Sequence, residues 1–169
     1  MIPEGQEPNP VRVRRADERD MEALLTIERQ CFNVYYYDYY MLDPRDFEFY
    51  LQDTDTLFLV AVQEAHVVGY ILGPVDLWRD PPSAHIDSIA VLLEAQKKGT
   101  GTLLLQSFTG QVCRQGCTRV TLEVSTANDA GLTFFVKHGF YGIRGLPGYY
   151  GKGLDGLLMA KDLRQTRRL

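Results

Sequence analysis

His85-Ile86-Asp87-Ser88-Ile89-Ala90-Val91-Leu92, followed shortly by Gln96-Lys97-Lys98-Gly99-Thr100-Gly101-Thr102, is the stretch on which the fold turns. The leading segment is apolar-rich and reads as a β-strand, and beyond Gly99 the residues Leu103, Leu104, Phe108 and Val112 recur at helical spacing. A strand therefore feeds a helix through a turn rich in glycine and lysine. The first N–H groups of a helix have no intrahelical partner and sit at its positive end, so such a turn can hold a phosphate or pyrophosphate. Gly99 and Gly101 remove side chains that would keep an anion away, and Lys97 and Lys98 add positive charge. The competing reading is geometric: strand-to-helix turns use glycine for backbone reasons alone, and the lysines form a solvated face.

Two phosphate-binding patterns can be set against this turn. The P-loop fails, because no Gly-Lys-Ser/Thr follows at the required spacing. The dinucleotide fingerprint comes closer, with Gly99 and Gly101 opening a helix and Glu123 further on at the end of a strand, where a ribose-binding acid stands. Its third glycine is Leu104, and several strands precede a unit that usually comes first.

Outward from this core, Val11–Arg14 alternates as an edge strand. Asp17 offers an N-cap before Met21, Leu24, Leu25, Glu28 and Phe32 at helical spacing, and Asp43-Pro44-Arg45-Asp46 starts a second helix ending near Leu51. Between these helices lies an aromatic loop, Tyr35 to Tyr40. Leu57–Gln63 and Val67–Val75 form a hairpin across Glu64-Ala65-His66; Arg119–Val124 is a strand, Asn128–His138 a helix, and Phe140–Arg144 and Leu157–Leu163 are the last strands. This order predicts one α/β (α+β layered) domain with a mixed sheet covered by helices.

With 169 residues, 45% hydrophobic and 24% charged, the chain has the makeup of a single globular domain that needs no disulfide or metal to stay folded. Residues 1–10 read as a disordered lead, 11–163 as the domain and 164–169 as a basic tail. A net charge of -4 argues against a nucleic-acid partner. Cys31, Cys113 and Cys117 lack the neighbours of a zinc site, so no metal is expected and they read as free thiols. The start of the chain has neither a positive cluster nor an apolar stretch, and the longest apolar run, Leu57–Val62, is far below the ~20 residues that span a bilayer. A cytoplasmic protein with no membrane partner is expected, as monomer or homodimer.

The Gln96-Lys97-Lys98-Gly99-Thr100-Gly101 segment resembles the Gln/Arg-x-x-Gly-x-Gly/Ala motif of the GNAT superfamily of acetyl-coenzyme A-dependent N-acetyltransferases, and Ser88-Ile89-Ala90-Val91 resembles that family's fourth strand. Leu122-Glu123-Val124, Asn128, Phe134-Phe135 and Gly139-Phe140 follow in the family's order. Val67-Val68-Gly69-Tyr70 is similar to its third strand, and Tyr149-Tyr150, Asp155, Met159 and Leu163 are similar to the ending of protein N-terminal acetyltransferases of the ribosomal-protein alanine type. The resemblance spans roughly residues 11 to 163. It implies a mostly antiparallel sheet of six to seven strands flanked by about four helices.

The resemblance also implies a chemistry, direct attack of an amine on a thioester. That needs a neutral amine, donors for the developing oxyanion and a proton for the leaving thiolate. Family practice would place the thioester beside Ile89, Ala90 and Val91, the pyrophosphate on Gln96 to Thr102, and the coenzyme arm near Asn128 and Phe135. Glu123 matches the proposed general base; its alternative is a strand carboxylate paired with arginine or facing water. An α-amine, with a pKa near about 8, needs less help than a lysine near about 10.4, so a protein or peptide N-terminus is the preferred acceptor.

Phe135 stands where the family usually has a tyrosine that protonates the thiolate, and Leu93 where it often has proline. Tyr150 is the candidate replacement acid, with Tyr149 next; alternatively the thiolate leaves unassisted. Tyr35, Tyr36 and Tyr149 are candidate acceptor-binding residues, on loops spanning Asn33–Asp43 and Leu146–Asp155. His85 reads as a satisfied strand residue rather than a base. A small-molecule amine or lysine acceptor, a non-catalytic acyl-coenzyme A sensor and a nicotinamide-dependent oxidoreductase are the alternatives.

Overall fold

The computed structural model describes residues 10–32 and 41–164. Strand β1 (Arg12–Arg15) leads through a 3-10 turn into helix α1 (Met21–Cys31), and helix α2 (Pro44–Gln52) precedes strands β2 (Thr56–Gln63) and β3 (His66–Asp76). Then come β4 (Ser83–Ile86), β5 (Ser88–Val91), α3 (Thr100–Gln115), β6 (Arg119–Ser125), α4 (Asp129–Lys137), β7 (Tyr141–Leu146) and β8 (Gly156–Asp162).

Local chemistry sets the element ends. Asp17 and Asp43 each accept from first-turn N–H groups in reciprocal capping boxes with Asp20 and Asp46, and Pro44 supplies a preset φ at the start of α2. The β2–β3 connection is tighter than the expected three residues: Glu64 and Ala65 both adopt positive φ, the geometry of a two-residue hairpin turn, and His66 already belongs to β3.

The strands form one sheet in the order β1-β2-β3-β4-β6-β8-β7, with β5 paired to β3. All pairings are antiparallel except β4 with β6. Alternation along the strands divides the core in two. Leu57, Leu59 and Ala61 of β2 pack with Leu104, Phe108 and Val112 of α3, whereas Phe58 and Val60 pack with Leu24, Ile27 and Phe47 of α1 and α2. Helices thus cover both faces. No described helix is long and apolar enough to cross a membrane.

One expected strand, His85–Leu92, is two. Ala84 pairs with Val75 and Ser88 with Leu72, so four steps along this segment face three along β3. The extra residue makes a β-bulge at Asp87, whose N–H donates to Leu72 O at 3.0 Å. Gly73 is required opposite it, because a Cβ there would collide with the His85 carbonyl. Before the bulge, β4 stays parallel to β6 from Ser83↔Arg119 to Ile86↔Leu122. Beyond it β5 follows β3, and the edge of β6 from Glu123 to Ser125 has no strand partner on that side among the described residues. The sheet opens into a wedge.

Candidate active site

The wedge is the mouth of a cavity of about 330 Å³. Its walls include Asp87, Ser88 and Ile89 from the bulge and β5, Leu122 and Glu123 from β6, Phe135 from α4, and Tyr149 and Tyr150 from the turn before β8. Phe32, Leu42 and Tyr50 close the side under α1 and α2.

Strand alternation assigns faces. Leu122 and Val124 belong to the core under α3, so Thr121 and Glu123 point to the α1–α2 side, as does His85 between Ala84 and Ile86. His85 Nε2 lies 2.7 Å from Glu123 Oε2 and Nδ1 lies 2.7 Å from Thr121 Oγ1. A carboxylate only accepts, so the Nε2 proton points to Glu123, while Nδ1 and the Thr121 hydroxyl share the second hydrogen bond. His85 is therefore not merely a satisfied strand residue: it joins the candidate base, at the edge of the cavity. Asp87 Oδ1 stands 3.8 Å from the same Nε2, and Asp87 Oδ2 accepts from the Tyr50 hydroxyl at 2.6 Å. Burial, reinforced by Asp87, raises the Tyr50 phenol well above its ordinary value and keeps it a donor.

On the β5 side, Leu92 N–H donates to Val68 O. By antiparallel alternation the backbone groups of Ser88, Ala90 and Leu92 face β3, while those of Ile89 and Val91 face outward. Val91 O confirms the direction, accepting from Gln96 Nε2 at 2.8 Å and Cys31 Sγ at 3.2 Å. The outward N–H groups are oriented as oxyanion donors must be.

The glycine turn leads directly into α3. Lys97 and Gly99 adopt positive φ, and Gly99, at the N-cap, supplies no side chain to the first-turn N–H groups. Thr100 Oγ1 is buried without a hydrogen-bond partner among the described residues. Thr102 Oγ1 meets His138 Nε2 at 3.0 Å. These features fit an anionic ligand: open donors at a positive helix end, with lysines alongside. Asn128 caps α4, its Oδ1 accepting from Gly131 N–H at 2.9 Å.

Phe135 is 7% exposed and lines the cavity without a proton to give; Tyr150, 6% exposed, lines it too and meets Tyr149 edge-to-face at 4.8 Å. Tyr35 and Tyr36 lie outside the described residues. Tyr50 and Asp87 are contributors that the sequence reading missed. Tyr50 carries no local signal, but adjacent polar Asp87 and Ser88 inside an apolar strand break the alternation, the mark of a bulge.

Beneath the cavity, Glu28 is 1% exposed; its Oε1 accepts from Leu42 N–H at 2.7 Å and its Oε2 from Tyr70, whose hydroxyl also lies 2.8 Å from Ser88 Oγ. Burial pushes the Glu28 carboxyl above its ordinary range, partly offset by these bonds.

Among solved structures, the fold is similar to that of the ribosomal-protein-S18-alanine N-acetyltransferase from Escherichia coli, with a TM-score of 0.80 over 95% of this chain and 99% of that one at 21% identity. An uncharacterised N-acetyltransferase of Methanocaldococcus jannaschii is 32% identical over 88% of this chain and 90% of its own length. An N-alpha-acetyltransferase of Sulfurisphaera tokodaii is 30% identical over 90% and 93%. The model of the acetyltransferase (GNAT) family matches residues 21–140, from the start of α1 through the wedge and the glycine turn to the end of α4, and the chain belongs to that family of N-acetyltransferases.

Proposed function

We propose that this N-acetyltransferase moves the acetyl group of acetyl-coenzyme A to the α-amine at a protein or peptide N-terminus. GNAT acetyltransferases use acetyl-coenzyme A, and membership places the chain among enzymes rather than acyl-coenzyme A sensors or nicotinamide-dependent oxidoreductases. The observation that carries the acceptor reading is the His85–Glu123 pair beside the open end of the wedge. An α-ammonium, with a pKa near about 8, yields its proton to a carboxylate–imidazole pair far more readily than a lysine near about 10.4. The N-alpha-acetyltransferase name borne by a relative at 30% identity supports the same reading.

In this reading the pyrophosphate rests on the first turn of α3 and residues Gln96 to Thr102, and the thioester carbonyl lies against the outward N–H groups of Ile89 and Val91. Ala90, Asn128 and Phe135 border the pantetheine path. The ammonium passes a proton to Glu123, which His85 orients. The amine nitrogen then bonds to the carbonyl carbon, the C–S bond breaks, the thiolate takes a proton from Tyr150, and the nitrogen sheds its second proton as the amide forms, which restores the Tyr150 phenol. Tyr149 borders the acceptor, and Tyr35 and Tyr36, outside the described residues, remain candidate acceptor-binding residues.

The test is a thiol-release assay on matched peptides. Peptides with a free α-amine and no lysine should be acetylated, and the same peptides blocked at the α-amine but carrying lysine should not. The reverse preference, or turnover confined to small amines, overturns the reading.

A further inference from the structure

The bulge does more than divide a strand. In regular alternation Asp87 and Ser88 would point to opposite faces, yet Asp87 reaches Tyr50 of α2 while Ser88 reaches Tyr70 beneath α1, so both lie on the acceptor side. Asp87 is fixed there by one oxygen. Oδ2 takes the Tyr50 hydroxyl, whereas Oδ1 has no hydrogen bond among the described residues; His85 Nε2 stands 3.8 Å away and directs its proton to Glu123. The described walls of the cavity carry two carboxylates, Asp87 and Glu123, and no lysine or arginine. Two half-buried carboxylates that share one histidine and no lysine or arginine favour a cationic ligand.

We propose that Asp87, held by Tyr50, is the residue that recognises the positive charge of the acceptor, its Oδ1 accepting from the ammonium group before Glu123 and His85 remove the proton. The two carboxylates thereby divide the work: Asp87 captures the cation and sets acceptor affinity, and Glu123 drives deprotonation. This role rests on the cavity being the acceptor site, and it extends to any primary amine the enzyme accepts.

Asp87→Asn tests it, because the amide keeps the side-chain shape and an oxygen for Tyr50 while removing the charge. On whichever amine the wild-type enzyme acetylates, KM for the acceptor should rise about tenfold or more, with kcat changing much less and the KM for acetyl-coenzyme A unchanged. The rise of wild-type acceptor KM with ionic strength should flatten in the variant. A hydroxy analogue of the acceptor, neutral and isosteric, should inhibit both enzymes equally, which separates lost charge recognition from a distorted cavity. Tyr50→Phe should move KM in the same direction, but less. An unchanged acceptor KM, a loss confined to kcat, or equal weakening of the hydroxy analogue overturns the proposal. A preference for lysine or small amines with the predicted Asp87→Asn response overturns only the N-terminal reading.

Discussion

Glu123 Oε2 meets His85 Nε2 at 2.7 Å diagonally across β4 and β6, one residue past Ile86↔Leu122, the last pair of their ladder. The hydrogen bond thus bridges the two walls where they begin to part, with Thr121 on the far side of the imidazole. The same parting exposes the β5 backbone on one side and the open edge of β6 on the other. One extra residue at Asp87 therefore opens the cavity and leaves the Glu123–His85 pair at its rim.

Replacing either member of that pair should slow the chemical step rather than coenzyme binding. Glu123→Gln is expected to lower kcat about a hundredfold, within the range of general base catalysis, with the affinity for acetyl-coenzyme A unaltered. His85→Gln should follow the same pattern more mildly, and the double variant should be little worse than Glu123→Gln, because the two act as a unit. Steady-state kinetics and calorimetric titration of the coenzyme measure this. An unchanged rate and pH profile in Glu123→Gln would remove the carboxylate from the mechanism.

Gly101→Glu should abolish coenzyme binding without unfolding the protein. A Cβ at this position would find the Phe134 ring nearest, at an ordinary 3.5 Å, so the fold can accept a side chain. The carboxylate would project where the helix N-terminus receives an anion, adding bulk and repulsion. Gly101→Ala, which gains helix propensity, should melt at or above the wild-type temperature. Thermal melts with and without acetyl-coenzyme A check this: the coenzyme should raise the Tm of the wild type and leave that of Gly101→Glu where it was.

The glycine turn into α3 was legible in the sequence because its physics is local: glycines, lysines and the first turn of a helix are contiguous from Gln96 to Thr102. The capping chemistry at Asp17, which opens the 3-10 turn before α1, and at Asp43, which starts α2, was legible for the same reason. The cavity was not. His85 and Glu123 are 38 residues apart, and Tyr50 and Asp87 are 37 apart. The first meeting depends on a parallel β4–β6 pairing and the second on how α2 lies over the bulge, and strand patterns specify neither. The bulge was hidden because HIDSIAVL is apolar enough to pass for one strand, although its two adjacent polar residues marked the break.

Glu28 should make stability fall with rising pH. Its carboxyl is raised above the ordinary 4.5, chiefly by burial, so it holds its proton more tightly in the folded chain. The stability it contributes is fully present below the unfolded value and is lost as pH rises through the folded one. Urea unfolding at a series of pH values should show a shallower decline above about pH 4.5 in Glu28→Gln than in the wild type. Glu28→Ala strands the Tyr70 hydroxyl and the Leu42 N–H, and should cost about 2 kcal/mol.

The leaving thiolate supplies the last test. Phe135 and Tyr150 line one cavity from α4 and from the turn before β8, and the family resemblance puts a tyrosine at the first of these places, where this chain has a ring without a hydroxyl. If Tyr150 has taken over as the acid, Tyr150→Phe should lower kcat about tenfold, with acceptor KM nearly constant. Phe135→Tyr alone should add little, because the proton is already supplied. In the Tyr150→Phe background, however, Phe135→Tyr should recover part of the lost rate by restoring a phenol from the opposite wall. Pre-steady-state rates of thiol release measure the step directly. Full activity in Tyr150→Phe would show instead that the thiolate, with a thiol pKa of about 8.5, departs without an acid.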